Sequence, residues 1–122
     1  MKDTTMLLRQ VHPSFIHAGK VSSQVFRPTP KDEAKLSMYN GDKIAPEAAF
    51  EHFTKKLGFA SNGVLGLEKQ ECSEQNLPVI DDAFPFEEHC SLDFSGLSKK
   101  EVEKIAKVLK LRAEKRGWLF QA

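Results

Sequence analysis

The sequence has no long hydrophobic run and almost no net charge. Its longest apolar stretches are a few residues, far below the roughly 20 that a membrane-spanning helix needs, and its start lacks the apolar core of a signal peptide. Eighteen basic residues oppose seventeen acidic ones, so the formal charge of +1 gives no overall attraction to nucleic acid or anionic lipid. We therefore expect a cytoplasmic protein that does not enter membranes.

Cysteine is scarce. The chain contains only Cys72 and Cys90, which are widely separated and form no Cys-x-x-Cys pair. This excludes the disulfide framework typical of small secreted domains. We expect both thiols to be reduced.

Several sequence signatures of catalysis and cofactor binding are also absent. Gly63 and Gly66 lie in NGVLGLEK, which fits neither a P-loop nor a dinucleotide-binding turn. Ser22 and Ser23 lack the Gly-x-Ser-x-Gly turn of a hydrolase nucleophile. His12 and His17 have no zinc-type spacing, although together with Asp32, Glu87 or Glu88 they offer ligands that a metal accepts. The sequence predicts no metal site and no cofactor.

The pattern of apolar residues predicts the fold. Strands are expected near residues 7–11, 21–26, 36–39, 63–67 and 90–94, with residues 118–120 returning to the core or adding a last strand. Helices are expected from Pro46 to Gly58, over residues 68–76, and from the Ser98/Glu101 capping box to Gly117. At 122 residues, the chain suits one domain covering residues 1–122. Its predicted class is α+β or compact α/β, with a three- to five-stranded mixed sheet, two longer helices and one short helix.

Side chains able to bind ligands are concentrated between residues 9 and 32. The segment contains two arginines, two histidines and three serines, with a lysine and an aspartate at its end. The residues before Pro28 and Pro30 are biased toward extended backbone, which lowers the ordering cost of binding. We expect the sheet to gather these side chains on one rim. The predicted ligand-binding residues are Arg9, His12, Ser22, Ser23, Arg27 and Lys31.

The order of three elements resembles that of the ADP-ribosyltransferases. Arg9 lies on a first predicted strand, Ser22-Ser23 at a second, and Glu87 or Glu88 precedes a later one, in the order of that family's Arg, Ser-Thr-Ser and Glu elements. The resemblance implies that Arg9 and Ser22 hold NAD and that Glu88 orients the reacting nucleophile. Ser-Gln replaces the usual Thr-Ser after Ser22, and no Glu-x-Glu or Gln-x-Glu includes Glu87 or Glu88.

The last predicted helix carries the strongest local excess of positive charge. Between Lys99 and Arg116 it has eight basic residues against three glutamates. It is the best candidate surface for nucleic acid, although outward-facing lysines on an amphipathic helix usually form a solvated surface.

Two hypotheses follow. The first is a small interaction or accessory module that binds a protein, or nucleic acid through the basic helix, and it predicts an exposed apolar patch involving Phe84, Phe86 or Trp118. The second is an enzyme or ligand-binding domain for a phosphate-bearing small molecule such as NAD, which requires Arg9, Ser22 or Ser23 and Glu88 to meet in one pocket. The first is preferred because no complete catalytic constellation is present. The sequence does not predict an oligomeric state.

Overall fold

The computed structural model describes residues 1–29 and 33–122. The strands are β1 (Met6–Gln10), β2 (Ile16–His17), β3 (Lys20–Val21), β4 (Lys35–Asn40), β5 (Gly63–Glu68), β6 (Val79–Ile80), β7 (His89–Asp93) and β8 (Phe120–Gln121). The helices are α1 (Pro46–Glu51), which continues as a π-helical turn (His52–Lys56), α2 (Lys69–Ser73) and α3 (Lys99–Arg116). Short 3-10 turns cover Pro13–Phe15 and Ser23–Phe26. The α+β class is therefore confirmed.

The main sheet has six strands in the order β6-β7-β4-β1-β5-β8, and β2 and β3 form a separate hairpin. The prediction of three to five strands was too low, because β6 and β8 have two residues each and show no periodicity. The prediction of a mixed sheet was also wrong, since every neighbouring pair runs antiparallel. The α1 segment does connect two strands that point the same way, β4 and β5, but β1 lies between them.

The second predicted strand is largely absent. Only Lys20–Val21 is extended, and the chain then turns into the 3-10 segment Ser23–Phe26. Val25 and Phe26 are adjacent in sequence and both fully buried, which an alternating strand on a one-sided core does not allow. Ser22 and Ser23 therefore do not lie on a strand.

The helix α3 covers one face of the sheet. The predicted capping box forms, because Ser98 Oγ accepts from the Glu101 N–H and the Glu101 carboxylate accepts from the Ser98 N–H. The helix ends at Gly117, whose φ of +87° is readily reached only without a Cβ. Its buried residues pack on a large core that includes Leu7, Val25, Phe26, Leu36, Met38, Leu65, Leu67, Leu92, Phe94, Ala106, Leu109 and Ala113.

The other face is covered by α1 and the π-helical turn. Its core is smaller: Leu8, Tyr39, Ala49 and Val64 are buried, and mostly aromatic, partly buried residues pack against them. The predicted helix from Pro46 to Gly58 is confirmed in position, and Gly58 adopts a positive φ of +76°. The predicted helix over residues 68–76 is shorter, at Lys69–Ser73.

Both cysteines are buried free thiols, as expected. Burial raises the pKa of each to about 12, so neither is a nucleophile at neutral pH. Within the described parts of the chain, no helix has the length and apolar character that crossing a membrane requires.

Candidate functional site

A cavity of about 950 Å³ opens between the segment Ser14–Thr29 and the start of α3, and we call it the large groove. The two 3-10 turns and the β2–β3 hairpin form one wall, and residues 97–103 form the other. Its apolar lining comes from side chains that also pack on the α3-side core: Phe15, Ala34, Phe94, Leu97 and Val102. The groove therefore has a rigid apolar base.

The polar rim of the large groove is organised around Gln24. Its Oε1 lies 3.2 Å from His17 Nε2 and accepts a hydrogen bond of 3.4 Å from Ser22 Oγ. An amide oxygen only accepts, so His17 must carry its proton on Nε2 to form this contact. Of these three residues only Ser22 belongs to the predicted ligand-binding set, and it bonds Gln24 without itself lining the groove.

Arg27 is the predicted residue that the structure places in the large groove. Its Nη1 lies 3.8 Å from Glu103 Oε1, a loose ion pair whose two side chains are 32% and 39% exposed. Its Nε is shielded from solvent and has no hydrogen-bond partner within residues 1–29 and 33–122. Lys99 adds a second positive charge to the lining. The exposed part of the Arg27 guanidinium and the Lys99 ammonium are the groups that suit an anionic ligand here.

Arg9 is held by the backbone. Its Nε donates to the Val25 carbonyl at 2.7 Å and its Nη1 donates to the Ser37 carbonyl at 2.9 Å. The guanidinium carbon also lies 5.9 Å from the centre of the Phe15 ring. Arg9 thus ties the second 3-10 turn to β4 and supports the groove wall from behind.

His12 caps the first 3-10 turn. Its Nδ1 accepts from the Ser14 backbone N–H at 3.0 Å and lies 2.8 Å from Ser14 Oγ. His12 does not line the large groove, although Ser14 does. Ser23 begins the second 3-10 turn, also outside the lining. Lys31 and Asp32 lie outside the described residues.

The elements of the ADP-ribosyltransferase resemblance are not brought together in the large groove. Arg9 contacts the Ser37 carbonyl on β4, whereas the Glu88 carbonyl accepts from the N–H of Asn40 at 2.7 Å, at the end of the same strand. Those two positions on β4 are about 10 Å apart at the usual rise of a strand. Ser22 bonds the groove residue Gln24, whereas the Glu87 carbonyl accepts from Lys43 Nζ at 3.0 Å.

A second cavity, of about 210 Å³, lies on the α1 face, and we call it the aromatic pocket. Strand residues Leu8, Gln10, Ser37 and His89 contribute to its lining, together with Phe53, Leu57, Phe59, Pro85 and Phe86. Sequence reasoning did not predict a site here, although Arg9 of the predicted ligand-binding set is among the lining residues. The available signal was Gln10, an uncharged polar residue on a predicted strand.

Two hydrogen-bonded clusters border the aromatic pocket. Asp82 Oδ1 lies 2.7 Å from His89 Nδ1, and Asp82 Oδ2 accepts from Ser91 Oγ at 2.9 Å. Partial burial raises the pKa of Asp82, but the hydrogen bonds from His89 and Ser91 outweigh it and hold the pKa below the ordinary value. Because the carboxylate accepts from Nδ1, neutral His89 has its acceptor at Nε2.

In the second cluster, the Tyr39 hydroxyl lies 2.8 Å from His52 Nδ1. Burial and the nearby charge of Glu88 raise the pKa of Tyr39, so the phenol stays protonated and donates this bond. Phe86 packs edge-on against His52 and His89, with ring centres 4.6 and 5.3 Å apart. These contacts fix the aromatic wall of the pocket.

Exposed aromatic side chains lie beside the aromatic pocket. Phe59 at its wall is 57% exposed, and Phe84, which precedes the lining residue Pro85, is 76% exposed. Phe86 and Trp118 are partly buried and pack on the two cores. Of the three residues named for an apolar patch, Phe84 is the one at the surface.

The basic helix is partly neutralised by its surroundings. Arg116 lies 2.9 Å from Glu71, Lys110 lies 2.9 Å from Glu114, and Arg112 lies 3.7 Å from Glu74. Among the described residues, no three histidine, cysteine, aspartate or glutamate side chains lie together as a metal site would need. Comparison of the chain with protein-family models, with curated proteins and with solved structures finds no match.

Proposed function

We propose that the protein is a cytoplasmic interaction module that binds a segment of a partner protein in the large groove. The observation that carries this proposal is an apolar base beside Arg27, whose side chain is 32% exposed and makes a loose 3.8 Å contact with Glu103. The free thiols of Cys72 and Cys90 suit a reducing compartment.

The chemistry of the groove defines the partner segment. The base, which includes Phe15 and Val102, suits one large apolar side chain. Arg27 and Lys99 suit a carboxylate, and Arg27 gives up only a loose contact with Glu103 when it turns to a better acceptor. The expected segment therefore carries a large apolar residue next to an acidic one.

The geometry favours binding over catalysis. Arg9 is engaged by two backbone carbonyls, and Ser22 bonds Gln24. Glu88 contacts the far end of β4. A phosphate-bearing ligand such as NAD remains the alternative, since Arg27 would also accept a phosphate.

Nucleic acid is a weaker candidate partner. Three basic side chains of α3, Lys110, Arg112 and Arg116, lie in ion pairs with glutamates. The exposed lysines that remain have no interleaved aromatic residue on which a base could stack, since Trp118 packs against the core.

Short labelled peptides test the proposal. One set carries a phenylalanine flanked by glutamates on a Gly/Ser background, and the matched set carries lysines in place of the glutamates. We expect the acidic set to bind, with affinity that falls as salt is added because the contact with Arg27 is at the surface. NAD and a mixed-sequence RNA are titrated in parallel.

Substitutions assign any binding to the groove. Val102→Thr keeps the side-chain shape but adds a hydroxyl to the base, and it should weaken acidic peptides without unfolding the helix. Lys56→Gln, on the other face of the sheet, is the control and should change nothing. Equal binding of both peptide sets, or binding of NAD or RNA alone, would rule the proposal out.

A further inference from the structure

The aromatic pocket contains a buried polar side chain that the fold leaves half satisfied. Gln10 is 5% exposed and lines the pocket. Its Oε1 accepts from Ser61 Oγ at 2.8 Å, while its Nε2 is shielded from solvent with no hydrogen-bond partner in the described parts of the chain. An amide has two polar ends, so the hydroxyl of Ser61 satisfies one of them and the other stays open.

Leaving a buried amide end unpaired is unfavourable, and native proteins rarely do so without a reason. Position 10 lies at the end of β1, where Gln10 and the neighbouring Ser37 of β4 both line the pocket. An apolar residue at position 10 would lose the bond from Ser61, whose hydroxyl also has the Gly63 carbonyl as an acceptor, and would leave no amide end unpaired. The open end of the Gln10 amide therefore indicates that a ligand of the aromatic pocket carries a polar group.

The size and walls of the pocket restrict the ligand. A cavity of about 150 Å³ lined by apolar side chains is known to hold benzene, and the aromatic pocket is larger, at about 210 Å³. Phe53 and Phe59 stand with ring centres 5.2 Å apart, and Phe86 completes the aromatic wall. A single substituted aromatic ring fits this space, whereas a nucleotide does not.

We propose that the aromatic pocket binds a small phenol, with its ring among the phenylalanines and its hydroxyl hydrogen-bonded to the Gln10 amide. A hydroxyl both donates and accepts, so it satisfies the open end of the amide once the amide, whose Nε2 solvent does not reach, turns toward the ligand. A phenol is neutral at pH 7 and enters without the desolvation cost of a charge. This site is independent of the large groove, which lies on the α3 side of the sheet.

A matched pair of ligands tests the proposal directly. 4-Methylphenol and p-xylene share a ring and nearly the same volume, but p-xylene has a methyl group in place of the hydroxyl. Each is titrated into the full chain while the side-chain amide resonances are followed by NMR. We expect 4-methylphenol to bind about tenfold more tightly or better, with a saturable shift of the Gln10 amide signal.

Two variants separate the roles of the amide and the ring wall. Gln10→Met keeps the length of the side chain and removes the amide, so the preference for 4-methylphenol should disappear. Phe59→Ala truncates an exposed wall residue, so both ligands should weaken while the preference remains. Arg27→Gln, in the large groove, should leave both affinities unchanged.

Several results would overturn the proposal. They are the absence of saturable binding of 4-methylphenol to the unmodified protein, equal affinities for the two ligands, or an unchanged preference in Gln10→Met. Should Gln10→Met fail to fold, the comparison of the two ligands on the unmodified protein still decides the matter. The Phe59→Ala variant then locates the site.

Discussion

The two faces of the six-stranded sheet share the same strands but carry different cores. On the α3 face, Leu7, Leu36 and Leu92 are among a large set of buried side chains that fill the space under an 18-residue helix. On the α1 face, four buried side chains are surrounded by partly exposed aromatic residues, and the buried amide of Gln10 lies among them.

The difference shows how strand alternation separates stability from binding. Residues at alternate positions of one strand point to opposite faces, so β1 sends Leu7 into the packed core and Leu8 and Gln10 toward the aromatic pocket. The α3 face is complete except at its edge, where the large groove opens. The α1 face keeps an unfilled pocket within its own packing.

The largest expected effect on stability comes from truncating one side chain of the fully packed core on the α3 face. Leu109→Ala removes a fully buried side chain on the α3 face and should lower the free energy of unfolding by about 2–5 kcal/mol. Phe53→Ala removes more atoms on the α1 face but borders an existing pocket, so it should cost about 1 kcal/mol. Urea denaturation of both variants measures the difference, and a larger loss for Phe53→Ala would reverse our view of the two faces.

The next effect concerns the link between α2 and α3. Glu71 is 7% exposed, and one carboxylate oxygen accepts from the Glu68 N–H at 2.7 Å and lies 2.9 Å from Arg116. Glu71→Ala should cost about 2 kcal/mol, as for hydrogen bonds to a charged group. Lys55→Ala, which removes the exposed pair with Glu51, serves as control and should cost less than about 0.5 kcal/mol. If urea denaturation gave similar losses of stability for Glu71→Ala and Lys55→Ala, the buried contacts of Glu71 would contribute no more than an exposed ion pair.

A smaller effect depends on pH and belongs to the α1 face. The pKa of Asp82 is lowered in the folded state, so its contribution to stability is present above the unfolded-state pKa of about 3.9 and is lost as pH falls through the lower folded-state pKa. Asp82→Asn should therefore destabilise the protein at pH 6 and have little effect at pH 2. Thermal unfolding across this range measures it, with Asp3→Asn as control. If the loss of stability in Asp82→Asn did not change with pH, the lowered pKa of Asp82 would not be the source of its contribution.

The smallest effect has the opposite sign. Gln10→Met removes the unpaired buried amide end and loses the bond from Ser61, whose hydroxyl still has the Gly63 carbonyl at 3.0 Å. Stability should stay the same or rise by up to about 1 kcal/mol. Leu8→Met, at another pocket-lining position of β1, is the matched control and keeps the volume nearly constant. A loss of more than about 1 kcal/mol in urea denaturation, larger than in Leu8→Met, would mean that Gln10 is a structural residue.

The elements with strong local signals could be predicted from the sequence. The capping box and Gly117 predicted the two ends of α3, and Pro46 and Gly58 predicted the two ends of the α1 segment. The two-residue strands β6 and β8 form only because a neighbouring strand supplies the hydrogen bonds, so no local pattern marks them. The position of β1 between β4 and β5 depends on long-range pairing, which alternation does not encode.

The predicted ligand-binding residues that the structure describes are not gathered on one rim. Arg27 lines the large groove, whereas Arg9 and His12 do not. Residue type could not separate these cases, because an arginine that bonds backbone carbonyls and an arginine free to bind an anion look the same in the sequence. Val25 and Phe26 were predicted to lie on a strand, but both are buried in a 3-10 turn that follows Ser22.

A charge exchange at Arg27 tests the central claim most directly. The affinities of the glutamate-bearing and lysine-bearing peptides are measured for the unmodified protein and for Arg27→Glu, with Lys104→Glu on the exposed side of α3 as a variant of equal net charge. We predict that Arg27→Glu weakens the glutamate-bearing peptide by about tenfold or more and binds the lysine-bearing peptide more tightly, while Lys104→Glu keeps the original preference. The same change in both variants, or none in either, would contradict the assignment of the large groove as the partner-binding site.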